Sequence, residues 1–422
     1  MTLAATFLGG AKSRLLPASI PFRFFASATV FHVLMWISLF IDADQAVGFR
    51  GGLGPALSSV HLLTIGVLTT TAIGASVQLL PVATRRALVA IWPVKVVFWL
   101  TVPGLLLLVV GMHTAEPAIM IPAATLVTLG LLLFAGLLAD NLRRANSLPV
   151  VAAYGWAALI CLVTLVALGL ALAADYRLGM LSNHDRFALA HVILGGFGFM
   201  GLLALGFSHV LVPMFALSSA PPKGLSWIGF GTAVAGVALG ALGAVTDNQS
   251  TLIAATLIGL TAAVIHLRLM SGALKVGMRK RLGLSFLLIR AAWILLPATL
   301  LVGLASLYGY AGRNGPTLFG ILLLGWLLTF LFGILQRIEP FLASMHVSGR
   351  TGVPSPLMSE LTASAPLKLH AACHALALAL VALAILADTA WPMRIGTAIG
   401  LAGAVSFAWF TATIVRRLFW AR

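Results

Sequence analysis

Charge is what this sequence has least of. Asp, Glu, Lys and Arg make up 9% of its 422 residues, against 61% hydrophobic, a balance far outside soluble globular composition. Cysteine is nearly missing too. Cys161 and Cys373 lie in separate apolar segments and form no Cys-x-x-Cys pair, which argues against a disulfide framework. No polar stretch is long enough for a soluble domain. The longest connection, 346–366 (HVSGRTGVPSPLMSELTASAP), is polar and proline-bearing and reads as an ordered loop or a short interfacial helix. The opening MTLAATFLGGAKSRLLPASIPFRFF has no separate short apolar core, so a cleavable signal is not expected and the first span itself should direct insertion.

What is present is apolar sequence in helix-length runs. Windows of about 20 residues select twelve, near 20–41, 59–82, 91–112, 118–140, 150–174, 187–215, 226–246, 250–272, 283–306, 316–345, 366–388 and 393–415. The chain therefore reads as an all-α, polytopic membrane protein. Assigning the connections to alternate sides leaves only Arg50, Arg177, Arg186, Arg313 and Arg394 on one face, with Arg290 inside a span. All other cations share the opposite face, which is cytoplasmic by the positive-inside rule, with both termini there. Asp42, Asp44, Glu116, Asp175, Asp185, Asp247 and Asp388 fall outside. The net charge of +16 thus belongs to helix ends facing anionic headgroups of the lipid bilayer, and no nucleic-acid footprint is visible.

Three segments repeat one pattern. HLLTIGVLTTTAIGASVQLLP gives His61, Gly66, Gly74, Gln78 and Pro81, and GILLLGWLLTFLFGILQRIEP matches it in register as Gly320, Gly325, Gly333, Arg337 and Pro340. HVILGGFGFMGLLALGFSHVLVP gives His191, Gly196, Gly206, His209 and Pro213 once two extra residues are allowed. The copies recur every four spans. The expected organisation is a single membrane domain of three four-helix units, near 18–145, 146–275 and 280–418, with equivalent second helices.

Histidines inside apolar helices are the natural candidates for chemistry. His61 and His191 lie in the outer half, His32 is more central, and His209, His266, His346, His370 and His374 belong to the cytoplasmic half. His191 and His209 share a face but stand roughly 27 Å apart along the helix, too far for one metal. His370 and His374 are one turn apart, the spacing by which a helix offers two imidazoles to one ion. His61, His191, His370 and His374 are the candidate metal ligands, and His209 a further cofactor-binding residue. The alternative for each is a hydrogen bond to a neighbouring helix, or solvation near the interface for His370 and His374. His32 is an extra ligand candidate for the outer histidines, whereas His113, His184, His266 and His346 read as interfacial. Arg290 either snorkels or pairs with an anion such as a propionate, and Arg337 with Glu339 forms a structural ion pair or a helix-end anchor, unless Arg337 meets a propionate. The glycines of the repeated helices either let helices approach closely or leave a groove for a flat macrocycle. Trp92, Trp99, Trp156, Trp227, Trp391 and Trp420 read as an interfacial belt.

With twelve spans, both termini inside, and an outer histidine on helices two and six, the chain resembles the catalytic subunit of the haem-copper oxidase superfamily and its nitric oxide reductase relatives. HLLTIGVLTTTAIGASVQLLPV looks like that superfamily's second helix, and the compact length with PFRFF before the first span is similar to the haem-containing NnrS-type branch. The resemblance implies haem b, with copper possible, an electron donor or respiratory-chain subunits as partners, nitric oxide as a gaseous ligand, and a bacterial-type inner membrane. It makes His61 a low-spin haem ligand and His191 a copper ligand. The departures are large. The seventh span, from Trp227 to about Val245, has no histidine, the tenth has Gly320 and no His-x-His pair, and HVILGGF lacks the helix-six tyrosine. The expectation is therefore a scaffold with an altered ligand set and not a standard oxygen reductase. A proton-coupled small-molecule or ion transporter without redox cofactor, and an accessory subunit of a respiratory complex, stay open as alternatives.

Overall fold

The computed structural model describes residues 14–145, 147–347 and 358–419. Among these, twelve helices are long and apolar enough to cross a membrane. They are α1 (Ser19–Ile41), α2 (Pro55–Ala83), α3 (Trp92–His113), α4 (Pro117–Arg143), α5 (Pro149–Leu178) and α6 (His184–Ala216), followed by α7 (Lys223–Thr246), α8 (Gln249–Val276), α9 (Gly283–Leu307), α10 (Gly315–Val347), α11 (Ser364–Ala387) and α12 (Ala390–Phe419). A short helix, Ala43–Val47, follows α1. Another, Met358–Leu361, is the described part of the connection before α11. Its residues 348–357, both chain ends and Trp420 lie outside the described residues.

Local sequence sets the helix ends. Proline at the first turn of α2, α4 and α5 gives up an amide that has no helical partner there. The Asn183 and Asn248 side chains accept from the amides of Arg186 (3.2 Å) and Thr251 (2.9 Å), capping α6 and α8. α7 and α11 stop at Asp247 and Asp388, in left-handed conformation with φ of 51° and 52°, which aspartate tolerates better than most side chains.

Successive helices pack side by side around the bundle, and α12 closes the ring against α1. At its centre α2, α6 and α10 share a cavity of about 60 Å³, lined by Thr71, Met200, Leu203, Phe207, Leu331 and Leu335 among others. Apart from Gly320, the glycines of these three helices lie against neighbouring helix atoms. A methyl group at Gly66 would lie 2.8 Å from Phe31, at Gly196 2.7 Å from Leu323, at Gly206 2.7 Å from Tyr154 and at Gly333 2.7 Å from Ile289. At these positions they serve close helix approach.

α2 and α6 depart from regular geometry at matching places. Residues Leu62–Thr69, directly after His61, and Leu194–Gly201, just after His191, are π-helical. The Thr69 and Thr70 hydroxyls donate to the carbonyls of Thr64 (2.8 Å) and Ile65 (2.9 Å), five residues back. α10 is α-helical throughout. π turns are rare and concentrate at functional sites.

The face expected to carry few cations holds four of its five in ion pairs. Arg186 pairs with Asp247 (2.6 Å), Arg394 with Asp44 (2.5 Å), and Arg313 with Asp388 (2.8 Å), with Arg50 4.0 Å from Asp388. Such exposed pairs are each worth about 0–1 kcal/mol.

Candidate functional site

Histidines gather in three places, and the grouping differs from the spacing along the chain. The first group lies where α1, α10, α11 and α12 meet. His370 is fully buried, at 0% exposure, and neither of its ring nitrogens has a hydrogen-bond partner. Its ring centre is 5.8 Å from His374 and 6.2 Å from His32, with Phe332 and Phe407 at 4.4 and 4.9 Å. An unmet buried polar group costs roughly 1–3 kcal/mol, so this ring calls for a partner that protein atoms do not supply.

Hydrogen bonds fix the neighbouring rings. The Trp36 indole N–H donates to His32 Nε2 at 2.9 Å, which leaves Nδ1 as the protonated nitrogen of neutral His32, buried and unpartnered. Thr329 donates its one hydroxyl hydrogen to the Gly325 carbonyl (2.6 Å), so its oxygen accepts from His374 Nε2 (2.8 Å). His374 keeps its lone pair on Nδ1, the arrangement common among metal-ligating histidines, whose second nitrogen donates to an oxygen. Above His374 opens an apolar cavity of about 120 Å³, lined also by Met35, Trp36, Leu63, Leu328 and Leu378.

The second group spans α5 to α9. His209 and His266 are both buried, with ring centres 6.2 Å apart. Tyr154 stacks near His209 at 5.5 Å, and Trp293 stands edge-on to His266 at 6.4 Å. The third group is the outer pair. His191 lies against Gly169 of α5 and within electrostatic reach of His61, whose Nδ1 donates to the Leu57 carbonyl at 3.0 Å. His61 thereby presents Nε2 as its lone-pair nitrogen.

Several expectations are corrected by these positions. His266 is not interfacial. α8 runs on to Val276, beyond the expected end near 272, which places His266 almost three turns inside. His32 does not join the outer histidines but sits with His370, because α1 packs on α12. Its spacing of four residues from Trp36 was the available signal. Arg337 and Glu339 form no pair. Arg337 donates to Ser285 Oγ (2.8 Å) and to the Leu282 carbonyl, anchoring the start of α9. Glu339 is fully buried at 0% exposure and accepts from the Thr411 hydroxyl of α12, at 2.9 Å to one oxygen. Arg290 is exposed on α9. His113 is exposed, His184 pairs with Asp175 (2.8 Å), and His346 bridges the Leu342 (2.7 Å) and Leu16 (2.9 Å) carbonyls.

Trp92, Trp99, Trp156, Trp227 and Trp391 are exposed, as a belt requires. Cys161 and Cys373 are free thiols.

The apolar cavity beside His374 measures about 120 Å³, smaller than the roughly 300–1,000 Å³ usual for ligand pockets. A single ion needs only nitrogen lone pairs, which His374, His61 and His209 present. Among the described residues no group of three or more His, Cys, Asp or Glu side chains is arranged to hold a metal ion, so His32, His370 and His374 are neighbours without a common centre. No protein-family model matches the chain, and no curated protein matches it.

Proposed function

We propose that this multi-pass membrane protein is a metal-linked redox protein of a bacterial-type cytoplasmic membrane, with its metal handled by imidazoles in the α1, α10, α11 and α12 seam. The observation that carries the reading is His370, fully buried with both nitrogens unpartnered between His32 and His374. Imidazole suits copper, zinc and iron, and the metal would supply a one-electron or Lewis-acid centre. His370 and His374, one turn apart on α11, are the residues that would hold it, with His32, whose Nε2 accepts from Trp36, packed beside them. The adjoining cavity is apolar and of the size for a small uncharged molecule, which supports a gaseous ligand such as nitric oxide.

One observation favours a second reading, proton-coupled transport. Glu339, the buried carboxyl at the other end of this seam, has only a hydroxyl donor and sits seven residues, two turns, along α10 from the Phe332 that packs on His370.

Protein purified in detergent from copper-supplemented cells should contain metal that is lost in His370→Ala. Protein that is metal-free and takes up none on copper loading overturns the redox reading and promotes the transport one. A Soret band that disappears in His61→Ala or His191→Ala replaces it with a haem protein.

A further inference from the structure

The second histidine group has its own chemistry, independent of the seam. His209 donates Nδ1–H to the Leu205 carbonyl at 2.9 Å, so its Nε2 carries the lone pair, and that atom has no partner. His266 Nδ1 and Trp293 Nε1 are likewise buried without partners. The side chains are 6%, 4% and 5% exposed for His209, His266 and Trp293. The two imidazole nitrogens, on different helices, each cost roughly 1–3 kcal/mol while unmet.

The ring separation is compatible with a linear two-nitrogen unit. Two metal–nitrogen bonds of about 2 Å, with roughly 1 Å from each nitrogen to its ring centre, put the ring centres of a linear N–metal–N unit about 6 Å apart. The observed separation is 6.2 Å. A tetrahedral ion would draw the rings closer. Charge points the same way, because the group has two neutral donors and no acidic or thiol side chain completes it among the described residues. Burying a divalent ion without a counter-charge is far more costly than burying a monovalent one. Of the metals that imidazole binds well, copper in its monovalent state fits both conditions.

We propose that His209 Nε2 and His266 Nδ1 are the two ligands of a linear copper(I) site between α6 and α8, walled by Tyr154 and Trp293. It uses none of the residues of the α1, α10, α11 and α12 seam, so either site can be present without the other.

Detergent-purified protein is loaded with copper(I) under reducing conditions, and the bound equivalents are counted against a chromophoric copper(I) chelator. His266→Ala is expected to lose one equivalent and to keep any equivalent that His370→Ala removes. X-ray absorption at the copper edge of the His370→Ala protein should then show a two-nitrogen shell without further close ligands, a readout that does not depend on the His266 variant folding. Unchanged stoichiometry in a monodisperse His266→Ala protein, or a three- or four-ligand shell, overturns the proposal and leaves the three atoms to a buried water. Loss of the His370-dependent equivalent alone would instead count against the seam.

Discussion

The three helices around the central cavity, α2, α6 and α10, share a sequence pattern but divide two to one in structure. α2 and α6 enter with a histidine and pass at once into a π stretch. α10 has Gly320 in that register, stays α-helical, and carries its polar residues, Arg337 and Glu339, at the opposite end. Spacing along the chain aligned α2 with α10, whereas the backbone aligns α2 with α6. A π stretch changes the angular position of everything after it, so equal spacing does not put Gln78 and Arg337 on equivalent faces. Gln78 accepts from the Leu16 amide (3.2 Å), while Arg337 ties α10 to the start of α9. The sequence pattern repeats and the chemistry does not.

Three pairs of substitutions sharpen the contrast. The largest effect is expected at Arg337→Ala, which removes charge-assisted bonds to Ser285 and Leu282 and should cost about 2 kcal/mol. Denaturant unfolding in mixed micelles measures it, and a cost no larger than that of Gln78→Ala would mean the inner end of α10 is not special. Next comes Gly333→Ala, whose methyl group would meet Ile289 at 2.7 Å and the Ser285 carbonyl at 2.9 Å. Overpacking of this kind costs about 1–3 kcal/mol. Gly320→Ala on the same helix has nothing within 4 Å and should be neutral or slightly stabilising. Equal losses at both positions would remove packing as the reason for the repeated glycines. The smallest effect is expected at Thr70→Val, which deletes the bond to Ile65 for about 1 kcal/mol. The equivalent change in α10, Thr329→Val, deletes instead the contact to His374, and should alter copper uptake while Thr70→Val does not.

The spans were legible in the sequence because length and hydrophobicity alone decide whether a helix crosses a bilayer. The helix ends were less so. Pro55 starts α2 four residues before the expected 59, since proline is favoured in a first turn. The histidines were legible one at a time but not as groups. His370 and His374 are neighbours by helix geometry, whereas His32 reaches them only because α1 and α12 pack together across the whole chain. No residue pattern announced that contact or the pairing of α6 with α8. The π stretches were equally silent, because LLTIGVLT and LGGFGFMG contain nothing an α-helix could not hold.

The closure of α12 on α1 sets an order of assembly. α1 is made ten spans before α12, yet the Trp36 ring of α1 is stacked directly on the backbone at Gly400, where an added methyl group would lie 2.5 Å from it. His32 and Trp36 therefore lack their α12 partner while ten further spans are made. Their seam can form only once α12 has been made, and chains truncated before α12 should be marked for quality control by that unclosed face.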